Sequence, residues 1–207
     1  MPEFIFLGGP NGVGKSTLAD TFYADAGFEV INSDRILAQL SKEKTPNSDP
    51  TILAKGVVNQ RIKAAFKSRN SLLIESNLNI PSSYKLMDIA LKNGYKIRLK
   101  FLCVDNLEIL NERIEERAIR GLHYISPHEV EQKYQSALRL LPSKIALFDD
   151  CELLDNSRNR SEPIAILTFK KGELIFQNKK LPDWTQKVLN KYNHLKKYLD
   201  KIKSRGI

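Results

Sequence analysis

The sequence predicts an α/β fold in which a five-stranded parallel sheet is flanked by helices. Three observations support this prediction. Short apolar segments alternate with longer amphipathic ones as far as Asn159, which is the pattern of parallel strands joined by helices. A glycine-rich loop joins the first apolar segment to the first amphipathic one. After Asn159 apolar and polar residues alternate singly, which predicts a β-hairpin.

Five apolar runs are the predicted strands of the sheet. In chain order they read FIFLGG, FEVI, SLLIES, YKIRLKFLCV and CELLD. The predicted helices between them read STLADTFYAD (ending about Gly27), DRILAQL, TILAKGVVNQRIKAAFKSR, PSSYKLMDIALKNG, NLEILNERIEERAIRG and SPHEVEQKYQSALRLLPSKIALF. The fourth helix has a proline near its start and Gly94 past its end, which is the usual asymmetry of helix termini.

The C-terminal segment is predicted to be a hairpin that turns at Lys171-Gly172, followed by a basic amphipathic helix. We expect residues 1–160 to form the core, with a helical lid at about 112–140. Residues 161–207 are expected to pack on this core through an apolar stripe at helical spacing. The stripe consists of Trp184, Val188, Leu189, Tyr192, Leu195 and Tyr198.

The positive charge of the chain is concentrated at its C-terminal end. The formal net charge is +9, and residues 179–207 hold seven of these excess charges. This run has two interpretations: a contact with nucleic acid or an acidic partner, or the solvated face of a helix. We favour the solvated face because charge runs usually have that role.

Composition and the first residues predict a cytoplasmic protein. No apolar run approaches the length of a membrane span. The segment MPEFIFLGG lacks the basic and apolar regions of a signal peptide, so we interpret it as a strand. Cys103 and Cys151 lie in apolar runs, which predicts buried thiols and not disulfides or metal ligands.

The glycine-rich loop predicts a nucleotide site. Gly9 to Ser16 fit the pattern G-x-x-x-x-G-K-[ST] between a strand and a helix. Glycines allow the backbone N–H groups to curl toward phosphate oxygens at the start of the helix. Lys15 is expected to reach the β- and γ-phosphates of ATP, and the Ser16 hydroxyl to bind Mg²⁺. The predicted cofactor-binding residues are Asn11, Gly12, Val13, Gly14, Lys15, Ser16 and Thr17.

Three carboxylates follow predicted strands, where α/β sheets bind ligands. Asp34 could accept a proton from a substrate hydroxyl or hold Mg²⁺ through water, and the alternative is a helix cap made by Ser33-Asp34. Glu75 could bind substrate hydroxyls or water on the metal, and the alternative is an ion pair. For Asp105 we favour a helix cap.

Arginines at helical spacing predict a cationic lid. Arg113, Arg117 and Arg120 fall on one face of a helix that stops at Gly121. Such a face suits the shielding of a transferred phosphoryl group, and pairing with neighbouring glutamates is the alternative. We expect neither His123 nor His128 to act as a base, and their spacing does not indicate zinc.

Taken in order, these segments resemble the zeta-toxin-like P-loop kinases. The matching stretches are GPNGVGKSTLA, INSDRI, IESNL, ERIEERAIRGLH, KYQSALRLL and LLDNS, over roughly residues 3–185. The family is related in fold to polynucleotide kinase and chloramphenicol phosphotransferase. Its best-known members phosphorylate the sugar 3′-hydroxyl of UDP-N-acetylglucosamine and are held inactive by an antitoxin.

The resemblance implies roles for individual residues. Asp34 would be the general base, and Glu75 and Asn77 would contact the acceptor. Arg117 and Arg120 would contact phosphate from the lid. Two departures from the family pattern concern the substrate: Lys133 stands where arginine is common, and ESNL replaces ETTL. The resemblance further implies that Asn156, in the DNS segment, lies near the adenine of ATP.

The sequence therefore favours an ATP- and Mg²⁺-dependent kinase that phosphorylates a hydroxyl of a small metabolite, foremost a nucleotide sugar such as UDP-N-acetylglucosamine. A nucleotide or nucleic-acid kinase is an alternative, for which the basic tail is the hint. A non-catalytic ATP-binding regulatory module is an alternative of another class. Among partners, an antitoxin is considered, nucleic acid is not favoured and a membrane is not expected.

Overall fold

A computed structural model of the chain describes residues 1–23, 26–43, 48–119, 124–158 and 162–204. Its centre is one mixed sheet of seven strands in the order β2-β3-β1-β4-β5-β6-β7. Strands β1 to β7 comprise Glu3–Gly8, Glu29–Ile31, Leu72–Ser76, Lys96–Cys103, Asp150–Asp155, Ile164–Lys170 and Glu173–Gln177. The fold is the α/β fold that the alternation of segments predicts.

The first five strands are parallel to one another, as predicted. The hairpin of β6 and β7 pairs with β5 in antiparallel fashion and so extends the same sheet. Residues beyond 161 therefore continue the central sheet. The sequence pattern predicts the hairpin but does not reveal that it pairs with β5. The division of the chain at residue 160 stays a prediction.

Seven helices accompany the strands within the described residues. Helices α1 to α7 comprise Lys15–Phe22, Ser33–Lys42, Pro50–Ser68, Lys85–Lys92, Leu107–Ile119, Pro127–Leu140 and Asp183–Lys203. None of them is both long enough and apolar enough to cross a membrane. In the described residues the first helix is shorter than predicted and ends at Phe22.

Two further differences from the predicted helices lie next to prolines, and the proline explains the first of them. The predicted helix from Ser126 to Phe148 ends at Leu140, and 3₁₀ turns at Leu141–Ser143 and Ile145–Leu147 follow it. Pro142 lacks an N–H group and its ring obstructs the preceding helical turn. The fourth helix likewise opens with a 3₁₀ turn at Pro81–Tyr84.

The core lies on both faces of the parallel strands. Phe4, Ile5, Phe6 and Leu7 are all buried, because helices cover β1 on both sides. Both cysteines are free and buried, as predicted. Burial raises the pKa of each thiol, so both stay protonated at neutral pH.

Helix α7 is anchored to this core by Trp184. Its indole is buried, with the ring centroid 6.2 Å from that of Phe101 and Nε1 3.4 Å from Asp155 Oδ1. Val188, Leu189 and Tyr192 continue the buried stripe. The stripe ends sooner than predicted, since Tyr198 is 60% exposed.

Replacing Trp184 by alanine is expected to lower the free energy of unfolding by about 3–5 kcal/mol, because it removes a large buried side chain from between α7 and the sheet. Replacing Tyr198 by alanine in the same helix should change it by no more than about 0.5 kcal/mol. Urea unfolding followed by circular dichroism measures both. Equal effects would show that α7 does not stabilise the core.

Candidate active site

The candidate site lies at the carboxyl edge of the parallel strands. In the β1–β3 register, Leu7 lies beside Glu75 and Gly8 beside Ser76. Strand β2 ends at Ile31, in register with Ile74 of β3. The segments that follow β1, β2 and β3 therefore emerge side by side. These are the glycine loop, the start of α2 and the segment with Asn77.

The loop between β1 and α1 requires glycine at three positions with positive φ. Gly9 has a φ of 130°, and a Cβ there would lie 2.1 Å from the Leu102 carbonyl oxygen. Gly12 and Gly14 have φ values of 80° and 95°. L-residues with a side chain rarely adopt this region, so the glycines allow the backbone to curl in front of α1.

Lys15 folds back over this loop. Its Nζ donates hydrogen bonds to the carbonyl oxygens of Gly9 and Pro10, at 2.6 and 2.9 Å. A third bond, of 3.0 Å, goes to Asn77 Oδ1. The ammonium is thereby fixed between the glycine loop and the end of β3.

Burial lowers the pKa of Lys15 to about 8, because the charged form loses solvation. Two carboxylates oppose this shift, with Glu75 having the larger effect and Asp34 the smaller. Two cations, Arg117 and Lys133, lower the pKa further. The site thus brings together five charged residues that the sequence analysis selected.

Ser16, Glu75 and Asn32 form a second cluster beside Lys15. The Ser16 hydroxyl donates to Glu75 Oε2 at 2.8 Å. Asn32 Nδ2 lies 2.8 Å from Glu75 Oε1 and 3.1 Å from Ser16 Oγ. The Ser16 hydroxyl and the Glu75 carboxylate are hard oxygen donors of the kind that Mg²⁺ prefers, so they fit the predicted metal, and the amide N–H groups of Asn32 orient them.

Asn32 is the residue that the sequence analysis missed. Its Oδ1 accepts a hydrogen bond from the Arg35 backbone N–H at 3.0 Å and caps α2. The alternative in which Ser33-Asp34 provides the cap is therefore wrong, and Asp34 lies exposed in the first helical turn. The position of an asparagine directly after a strand and before a helix was the available signal.

Helix α5 is also capped by an asparagine. Asn106 Oδ1 accepts a hydrogen bond from the Glu108 backbone N–H at 2.9 Å. The predicted cap at Asp105 is therefore wrong, because α5 begins at Leu107, two residues after it. The Asp105 backbone N–H donates to Ser157 Oγ at 3.0 Å.

Two further asparagines hold the glycine loop in place. Asn77 Nδ2 donates to Asn11 Oδ1 at 2.9 Å, so Asn77 contacts both the loop and Lys15. Asn156 Nδ2 donates to the Val13 carbonyl oxygen at 2.8 Å. Arg113 donates to the Asn156 carbonyl oxygen at 3.0 Å, which ties α5 to the same loop.

The predicted lid residues lie on α5 and α6. Arg117 is exposed on α5, and Lys133 on α6 forms an ion pair of 2.8 Å with Glu129. Arg120 and His123 lie outside the described residues. His128 is exposed and shares a 2.9 Å hydrogen bond with Gln132.

Residues 4–140 match the AAA_33 family, described as an AAA domain. The matched segment includes the glycine loop, Asn32, Glu75 and helices α5 and α6. The chain belongs to this family. A protein of Haemophilus influenzae is 32% identical over 130 residues, which are 63% of this chain and 91% of the relative.

Solved structures of other proteins share this α/β fold. A chain of the AvrRxo1-ORF1:ORF2 complex with ATP has a TM-score of 0.65 at 13% identity, over 93% of this chain. This chain spans 64% of that one. A chain of the PezAT toxin–antitoxin system of Streptococcus pneumoniae has a TM-score of 0.57 at 16% identity, over 94% and 87% of the two chains.

The lowered pKa of Lys15 predicts proton uptake when ATP binds. Above pH 8 much of the free ammonium has lost its proton, and nearby phosphates would restore it by raising the pKa. Uptake should approach one proton at about pH 9 and be small at about pH 7. Calorimetry in two buffers of different ionisation enthalpy measures it.

The Lys15→Arg variant is the control for this measurement, because a guanidinium keeps its charge at both pH values. It should bind ATP without proton uptake. Wild-type protein that binds ATP at about pH 9 with no uptake would contradict a desolvated Lys15.

Proposed function

We propose that the protein is an ATP- and Mg²⁺-dependent kinase that phosphorylates a hydroxyl of a small metabolite. The observation that carries this proposal is the arrangement around Lys15. A glycine loop, a hydroxyl–carboxylate pair and an exposed carboxylate on α2 meet at one edge of the sheet. Phosphoryl transfer requires these groups: donors for phosphate, oxygens for a metal, and an acceptor for a proton.

Lys15 would bind the β- and γ-phosphates, exchanging its bonds to the loop carbonyls for bonds to phosphate oxygens. Asn77 keeps the ammonium beside β3 during this exchange. Arg117 and Lys133 supply further positive charge from the lid helices, since both lie near enough to lower the pKa of Lys15. The charge that develops on the transferred group is stabilised by these cations.

Asp34 is the group proposed to accept the proton of the substrate hydroxyl. Its carboxylate is exposed to solvent, and its charge acts on Lys15. It therefore borders the place where the γ-phosphate would lie, with access for a second substrate. The bond between Asn32 and the Arg35 backbone orients the helical turn that carries Asp34.

Ser16 would bind Mg²⁺ directly, and Glu75 would accept hydrogen bonds from water molecules of its coordination sphere, with Asn32 orienting the Glu75 carboxylate. The metal would neutralise phosphate charge when bound. Glu75 serves this role better than acceptor binding, because both of its carboxylate oxygens already contact Ser16 and Asn32. Binding of metal-bound water is one of the roles that the sequence left open for Glu75, beside the binding of substrate hydroxyls and an ion pair.

A nucleotide sugar is the proposed acceptor, on the strength of the resemblance to zeta-toxin-like kinases. The similar PezAT structure belongs to a toxin–antitoxin system, which supports this choice and makes an antitoxin a partner to test. ATP as the donor is supported by the similar AvrRxo1 structure, which was solved with ATP.

Transfer of labelled γ-phosphate from Mg-ATP tests the proposal, with UDP-N-acetylglucosamine and a whole metabolite extract as acceptors. Asp34→Asn should lower the rate by about 10²–10⁴-fold while ATP still binds, because it removes a general base. Lys15→Ala should lower both ATP affinity and transfer. Asp88→Asn, an exposed aspartate on α4, is the matched control and should keep full activity.

The outcomes separate the alternatives. Label on the nucleotide sugar supports the full proposal, and label on another metabolite keeps the kinase and replaces its substrate. Label on added RNA or DNA ends would identify a nucleic-acid kinase. ATP binding with no labelled product anywhere would overturn the kinase and favour a regulatory module.

A further inference from the structure

Strand β7 is an edge strand with an apolar surface. It lies at the end of the strand order, four positions from β1, at about 19 Å from the strand that leads into the glycine loop. All five of its residues are exposed. Leu174, Ile175 and Phe176 are 40%, 61% and 46% exposed, although they are large and apolar.

Ile175 lies at an irregularity of the pairing, because Leu174 pairs with Phe169 and Phe176 with Thr168, and all three apolar side chains are exposed there. An exposed apolar edge is a template for pairing with another strand. The apolar residues of β6 are explained by packing, because several of them are buried in the core. Those of β7 are not, because all of its residues are exposed. Large apolar side chains are usually buried, so their exposure on β7 makes this strand a candidate for the addition of a further strand.

The edge is held rigidly in this position. The Tyr192 hydroxyl donates to the carbonyl oxygen of Gly172 in the turn before β7. Lys196 Nζ forms an ion pair of 2.6 Å with Glu173 Oε2. Helix α7 thus supports the start of β7, and a preformed edge loses little conformational entropy when a strand is added.

Lysine pairs flank the strand on both sides. Lys170 is the last residue of β6 and Lys171 lies in the turn before β7, whereas Lys179 and Lys180 follow β7, and all four are exposed. Glu173 is the one carboxylate of β7 and is already paired with Lys196. Lys170 also lies near Asp150, whose pKa it helps to lower. The edge therefore presents apolar side chains between two positive ends.

This charge pattern opposes pairing of β7 with a second copy of the chain. In an antiparallel pair of two β7 strands, the turn end of each strand, with Lys171, would lie near the far end of the other strand, with Lys179 and Lys180. Like charges directly opposite one another destabilise a strand pair. The same ends would attract a strand that carries acidic residues on either side of an apolar centre.

We propose that β7 is a docking edge for an extended segment of a partner protein, with an apolar centre and acidic ends, that adds as an eighth strand to the sheet. Main-chain hydrogen bonds would provide affinity, and the lysine pairs would select the acidic partner. The surface is distinct from the candidate active site. It does not depend on the proposed kinase activity.

The test uses the full chain and three fluorescent peptides. The probe is Asp-Asp-Thr-Val-Ile-Val-Thr-Asp-Asp, compared with a peptide that has lysines at its ends and with an acidic peptide whose alternate amides are N-methylated. Anisotropy should show that the acidic peptide binds about tenfold or more tightly than the lysine peptide, since lysines lie near both ends of β7 and the peptide ends differ in the sign of their charge. N-methylation should abolish binding because it removes ladder donors.

Charge reversal gives the decisive comparison. Lys171→Glu with Lys179→Glu should reverse the preference between the acidic and lysine peptides, with circular dichroism unchanged. Lys85→Glu with Lys92→Glu, exposed on α4, is the matched control and should keep the wild-type preference. Labelled transfer from ATP should be unaffected in both double variants.

Several results would overturn the proposal. These are failure of the acidic peptide to bind, equal binding of both charged peptides, or full binding of the N-methylated peptide. Sedimentation that shows a dimer broken by Ile175→Asp would assign the edge to self-association instead.

Discussion

The parallel pairing of β1 with β3 is the constraint on which the rest of the site depends. It places Leu7 beside Glu75 and Gly8 beside Ser76, so the glycine loop and the acidic end of β3 leave the sheet together. Because of this register, Ser16 can reach Glu75 and Lys15 can reach Asn77. A shift of one residue would turn each side chain to the opposite face of the sheet and separate these pairs.

Asparagine side chains hold the residues of the site in place through hydrogen bonds. Asn32 contacts Ser16, Glu75 and the backbone of α2, while Asn77 contacts Lys15 and the loop. Asn156 supports the loop from β5. Amides both donate and accept, so they can join a cation, a carboxylate and the backbone without adding charge. The charges at the site are thereby left for phosphate, metal and substrate.

Much of this could be predicted from the sequence, because local patterns determine strands, the glycine loop and helix faces. The loop motif predicts that Lys15 and Ser16 lie between a strand and a helix. Asn32 was missed because Asn32, Ser33 and Asp34 are all good capping residues, so the position of Asn32 after the strand did not decide among them. The joining of β6 to β5 was equally hidden, since strand order depends on long-range pairing. The end of α6 before Pro142 could have been predicted, because proline disfavours the continuation of a helix.

In the proposed reaction, Ser16 and Glu75, oriented by Asn32, couple Mg²⁺ to the nucleotide held by Lys15. The most direct test is calorimetric affinity for ATP with Mg²⁺ and with a chelator, in wild type, in Glu75→Gln and in the exposed control Glu43→Gln. We expect Mg²⁺ to strengthen binding in wild type and in the control, and this gain to fall by about tenfold or more in Glu75→Gln, as for other residues that orient a metal's ligands. An equal gain in all three proteins would contradict the claim.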